Sequence, residues 1–432
     1  MNPRSFEKVE HLLEQLVRRQ AGQIAATLTR ILGADRLDLV EDVVQLACLR
    51  ALETWKASGV PANPVAWLVQ VARNQAIDRL RHEALLRDRA EDVRAALSRP
   101  PEASSDIIPT GDGADDTLGM MFHCCHPEIP AEGRVALTLK AVAGFDVAAI
   151  ARAFLAEEAT IAQRVVRAKR RIRERGISFE RLHPRESGRR LGSVLEVLYL
   201  VFNEGYAAHD GDLLVRRDVC EEAIRLASLL ASSVASDIPR AHALLALMVL
   251  HASRFPARVD GSGELLLLSE QDRSRWDRRL IAEGLGHLER SSAGDEVSEY
   301  HLEAGIAACH AIAESYDRTD WKAILELYDQ LLDRNPSPVV ALNRAIAVSR
   351  CEGPEAGIRA VEAVRDHPAL VRYHLYWSAL ATLHEENGDG QSAASCYRAA
   401  LALRCSEPER RFLARRLARV VAAAPSATFG DP

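Results

Sequence analysis

The sequence predicts an all-α fold, on three observations. Alanine, leucine, arginine and glutamate dominate the 432 residues, and aromatic residues make up only 5%. Apolar positions recur at steps of three and four, the period of a helix face, and strand-like alternation is nearly absent. The hydrophobic share of 48% and charged share of 27% are those of an ordinary soluble chain with real cores to bury.

The same composition excludes several classes. No apolar run approaches the roughly 20 residues of a membrane span, and the opening MNPRSFEKVEHLLEQ lacks the apolar stretch of a secretory leader, which points to the cytoplasm. The eight cysteines are scattered without CxxC spacing, so they read as reduced core residues. His123, Cys124, Cys125 and His126 stand side by side, and four consecutive residues of a helical turn point in different directions. No metal or cofactor is therefore expected.

Punctuation divides the chain. Helical segments run from about Ser5 to Leu32, Leu37 to Ala57 and Pro64 to Leu97, the last opening with proline where a first helical residue tolerates it. The stretch Ser98 to Gly119, rich in Pro, Gly, Ser and Asp, has five acidic residues and one arginine, the composition of a flexible linker. The expected domains are residues 1–97, an acidic linker at 98–117, a second helical unit at 118–180, and a large helical domain at 185–423.

Charge is distributed unevenly. Between Arg134 and Arg175 ten basic residues face four acidic ones, a local +6 inside a chain of net charge −6. Within that segment Asp146 is placed to start a short helix ending near Ala153, a break follows, and a second helix runs from Ala159 to Glu174. This is the pattern of a helix-turn-helix. In the second helix Ile161, Val165, Ala168 and Ile172 would face the core. Thr160, Gln163, Arg164, Arg167, Lys169 and Arg171 would then point outward, a basic face suited to phosphates and base edges. So many cations against Glu174 alone cannot be balanced by pairs within the helix.

Two stretches in the first domain carry a specific resemblance. Asp38 to Trp55, DLVEDVVQLACLRALETW, resembles region 2.2 of sigma-70 family factors, and Pro64 to Arg81, PVAWLVQVARNQAIDRLR, resembles regions 2.3 and 2.4. With a linker and a helix-turn-helix following, the first 180 residues resemble a sigma factor of the extracytoplasmic-function type. The resemblance implies that Asp42, Gln45 and Leu49 meet the β′ clamp helices of core RNA polymerase. One departure is Leu46, which stands where the family usually has an acidic residue. By the same resemblance Arg73, Asn74, Arg79 and Arg81 meet the −10 promoter element, and the basic helix described above meets the −35 element. Trp67 reads as core, and Asp78 as the partner of a nearby arginine.

The large domain adds helical hairpins. Trp321 to Tyr328, Ala341 to Ala345, and above all Tyr373 to Leu403 with Gly388 at the turn resemble tetratricopeptide repeats, whose stacked faces hold a peptide or partner protein. With Leu198 to Tyr206, LYLVFNEGY, the whole order resembles the ECF42 subgroup, in which a C-terminal repeat extension regulates the factor. A helical-repeat scaffold with a DNA-binding module is the alternative class. Asn203, Glu204, His209, Asp210, Asp212, Arg254, Arg258, Asp260 and the run Glu270 to Trp276 form a dense polar set that reads as a structural network, since no phosphate loop or nucleophile motif accompanies it.

Overall fold

The computed structural model describes residues 22–87, 113–154, 156–177, 184–206, 216–232, 238–261, 264–294, 296–367, 370 and 373–423. Among them the protein is all-helical apart from a single bridge between Val259 and Leu265. The chain divides into two compact units, Met1–Val201 and Phe202–Pro432.

Unit 1 begins with a helix over 22–32 (α1), the described end of the segment expected from Ser5. α2 (Leu37–Ser58) and α3 (Pro64–Arg87) follow. Asn63 starts α3 as anticipated from the adjoining proline, its Oδ1 accepting the Ala66 N–H at 3.1 Å. The three helices close on a core of Ile24, Leu28, Val43, Trp55, Leu68 and Ala72. Trp67 packs edge-on against Trp55, ring centroids 5.4 Å apart, which places it in that core as expected.

α4 (Gly113–Cys124) starts inside the stretch read as linker at 98–117, so the acidic composition there misled. Acidic residues in a first turn complement the helix dipole, and Asp116 is anchored: Thr27 Oγ1 donates to it at 3.0 Å and Arg30 pairs with it at 3.1 Å. α5 (Ala131–Ala141), α6 (Val147–Ala153) and α7 (Glu158–Glu174) complete the second helical group. Asp146 caps α6, its Oδ1 accepting the Ala149 N–H at 2.6 Å. Replacing it with alanine leaves that donor without its partner and is expected to cost unit 1 about 1 kcal/mol, read as a lower midpoint in urea unfolding.

α8 (Pro184–Tyr206) leads into unit 2, which holds α9 (Arg217–Ala231), α10 (Pro239–Ala252), α11 (Arg278–Ser291), α12 (Glu299–Ile312), α13 (Trp321–Arg334), α14 (Pro338–Glu352), α15 (Pro354–Glu362), α16 (His374–Glu386), α17 (Gly390–Leu401) and α18 (Glu407–Ala423). Short connections make neighbouring helices pack as hairpins. Asp277, Asp320 and Asp389 cap α11, α13 and α17 through their side chains. Gly388 turns the α16–α17 hairpin with φ of 78°, a conformation that favours glycine. Leu302, Ile306, Ile324 and Leu331 form one core, and Leu342, Tyr376, Leu380, Tyr397 and Phe412 contribute to another.

Candidate functional site

α2 buries one face and leaves another bare. Val40, Val43, Ala47, Ala51 and Trp55 are buried at helical spacing, so Asp42, Gln45, Leu46 and Leu49 fall together on the opposite side. Leu46 is 42% exposed and Leu49 57% exposed, two large apolar groups in contact with water on one strip. A polar pair and an apolar pair at i, i+3, i+4 and i+7 make a face ready to pack on another helix.

α3 runs alongside. Arg79 pairs with Asp42 at 3.1 Å, so a residue expected at polymerase and one expected at DNA are joined in a single surface pair. Asn74 is exposed, its Oδ1 accepting from Gln70 Nε2 at 3.0 Å, while Arg73 is half-buried. Arg81 is exposed and pairs with Asp78 at 3.7 Å, the partnership anticipated for that aspartate. The structure therefore brings Asp42, Gln45 and Leu49 onto one strip and presents Asn74, Arg79 and Arg81 to solvent on the neighbouring helix.

α7 departs from expectation in one respect. Ile161, Val165, Ala168 and Ile172 are buried as expected, and Thr160, Gln163 and Arg167 are exposed. Lys169, expected to point outward to DNA, is instead buried, its side chain 7% exposed. Lys169 lies four residues after Val165 and three before Ile172, on the edge of the buried face, where its stem can run along apolar surface. Its ammonium reaches Asp38 at 2.9 Å and Glu41 at 2.7 Å, both at the start of α2.

The lysine is the centre of a wider junction. Lys140 pairs with Glu41 at 3.6 Å and Arg173 with Asp38 at 3.2 Å. Gly22 of α1 lies so close to the Val142 carbonyl that any side chain there would collide with backbone. Burial pushes the Asp38 carboxyl up, but the bonds and charges of Lys169, then of Arg173, outweigh it and hold the group below its ordinary value. The helices α1–α3 and α4–α7 are thus docked through an ionic latch.

Partners for the other α7 cations also come from elsewhere in the unit. Arg164 reaches Glu132 at 2.8 Å and Arg175 reaches Glu128 at 2.9 Å, while Arg170 pairs with Glu174 at 3.3 Å within the helix. Arg167, exposed, and Arg171, half-buried, are the two α7 arginines without a carboxylate partner among the described residues. Sequence reasoning missed Asp38, Glu41, Glu128 and Glu132 because no local spacing connects them to α7.

The polar set of unit 2 is gathered in part. Arg254, Arg258, Gln271, Arg273 and Trp276 meet between α10 and α11, whereas His209, Asp210 and Asp212 lie outside the described residues. Cys124 and Cys125 are buried, and burial pushes the Cys125 thiol up to about 12, so it stays protonated.

Residues 16–85 match the family described as Sigma-70 region 2, which spans the α2 strip and nearly all of α3. Residues 190–292 match a family of unknown function, DUF6596, which covers most of α8 and runs through α11. The chain is also 40% identical over 389 residues to uncharacterized protein R00370 of Rhizobium meliloti (strain 1021), covering 89% of this chain and 91% of that one. No described helix is long and apolar enough to cross a membrane. The chain belongs to one family with that Rhizobium protein, and its Sigma-70 region 2 supports a sigma-70 family factor with a sigma factor-like role in transcription initiation.

Proposed function

We propose that this protein is an alternative sigma factor of the extracytoplasmic-function type, a non-enzymatic subunit that directs core RNA polymerase to its own promoters. The observation that carries the reading is the α2 strip of Asp42, Gln45, Leu46 and Leu49, which puts two exposed leucines beside the residues expected on the β′ clamp helices. Arg73, Asn74, Arg79 and Arg81 on α3 then serve the −10 element. Thr160, Gln163, Arg164, Arg167 and Arg171 on α7 serve the −35 element.

The latch gives this factor a resting form. The two promoter elements are centred about 25 base pairs apart, roughly 85 Å along the duplex. A compact body of about 200 residues is roughly 45 Å across. With Lys169 on Asp38 and Glu41, α3 and α7 cannot reach both elements at once, so promoter engagement requires the latch to open. Unit 2, with its helical hairpins of the tetratricopeptide type, offers a surface for a protein or peptide partner that controls this step. Mixing the purified protein with bacterial core polymerase and separating by size tests the reading. Co-migration as a one-to-one complex supports it, and failure to associate under any condition, including with an opened latch, removes it.

A further inference from the structure

The connection from Ser253 to Asp277, between α10 and α11, carries three arginines of unit 2, Arg273 buried and Arg254 and Arg258 half-buried. Two of them have an evident structural task. Arg258 donates to the Tyr206 carbonyl at the end of α8 and lies over the Tyr206 ring at 3.9 Å. Arg273 donates to the His310 and Ala313 carbonyls at 2.6 and 2.8 Å and to Thr319 Oγ1 at 3.0 Å, so it caps the C-terminus of α12.

Arg254 has no such task. Its guanidinium lies over the Trp276 ring at 5.3 Å, and Arg273 lies over the same ring at 4.9 Å. Its one hydrogen bond is a long one, Nε to Gln271 Oε1 at 3.4 Å, and its two terminal nitrogens have no partner among the described residues. No carboxylate among those residues pairs with Arg254, Arg258 or Arg273. Glu409, the carboxylate whose charge Arg258 feels, is already engaged by Ser406 and His374.

The groups around Arg254 are also unpartnered. Trp276 is 2% exposed, and its indole N–H meets no acceptor. The Nδ1 atoms of His251 and His310 are buried without a partner. Burial, reinforced by Arg254 with Arg258 or Arg273, holds both imidazoles down at about 3, so they are neutral and each can present an N–H. Buried donors left unmatched are costly, and the species that matches them beside a half-buried guanidinium is an acceptor with negative charge and several oxygens.

We propose that Arg254, together with Trp276, His251 and His310, forms a binding site for the oxyanion of a small molecule, a carboxylate or a phosphate. A small molecule rather than a protein side chain is indicated because Gln271, Arg273 and Trp276 around the site are each more than nine-tenths buried. The planar guanidinium, held in a cation–π contact with Trp276, offers the paired donors that either anion takes. The site gives a chemistry to the DUF6596 segment and stands independently of the sigma reading.

The test uses the full chain in chloride buffer, titrated at constant ionic strength with inorganic phosphate in one arm and succinate in the other. Thermal unfolding and calorimetry are the readouts. One arm is expected to raise the midpoint in a saturable way, and which arm does so identifies the anion class. Arg254→Met is expected to weaken binding at least 10-fold and, without anion, to unfold at a higher temperature than the parent. If that variant does not fold, Arg254→Lys keeps the charge but loses the fork, with the same 10-fold loss expected. Arg318→Met, at an exposed arginine, serves as the control. No saturable effect of either anion, or equal binding by the Arg254 variants, overturns the proposal.

Discussion

Replacing Leu46 and Leu49 together with aspartate is expected to weaken association with core polymerase about 100-fold while leaving the folded protein intact. The two side chains are exposed on α2, so nothing in unit 1 depends on their packing. On a partner helix each would bury apolar surface worth on the order of 1–2 kcal/mol, and each aspartate would carry a charge into that contact. Two such losses together, about 2–4 kcal/mol, bracket the roughly 2.7 kcal/mol that corresponds to 100-fold in affinity. Competition binding on immobilised core polymerase reads the loss, and an unchanged urea midpoint shows that the fold survives. The position of Leu46 matters here: where the family usually carries an acidic residue, this chain trades a polar edge for apolar area.

Lys169→Glu is expected to undo the latch. The substitution puts a third carboxylate beside Asp38 and Glu41 and removes the buried cation that neutralised them, a change of about 3–5 kcal/mol when one partner of a buried pair is lost. The core of α1–α3 does not use Lys169, so the expected result is separation of the two helical groups rather than unfolding. Small-angle scattering of the full chain should show a larger radius of gyration, and Asp38→Lys in the same chain should partly restore compactness. Acid acts in the same direction. The Asp38 carboxyl is depressed in the docked form, so its contribution is present above the ordinary aspartate value and is lost as pH falls through the lowered one. An unchanged radius in Lys169→Glu would mean that the latch does not hold the groups together.

What could be read from the sequence follows the range of the interactions involved. Helices, the inward faces of α2 and α7, the Asp146 cap and the Trp67 packing depend on neighbours within a few residues, and periodicity exposes them. Lys169 failed for the opposite reason: its partners Asp38 and Glu41 lie more than 120 positions away, and only the folded unit brings them to it. The start of α4 was hidden because acidic residues suit both a linker and a helix N-terminus. The arginines of unit 2 were legible as a dense polar set, yet the division between the capping pair, Arg258 and Arg273, and the unmatched Arg254 depends on where α8 and α12 end in space.

The sigma reading is tested most directly by run-off transcription with purified bacterial core polymerase, this protein, and DNA from upstream of its own gene. A discrete transcript is expected that depends on the protein, disappears when Asp42 and Gln45 are both replaced by alanine, and strengthens in Lys169→Glu. A protein that binds neither core polymerase nor that DNA, with the latch closed or open, would contradict it.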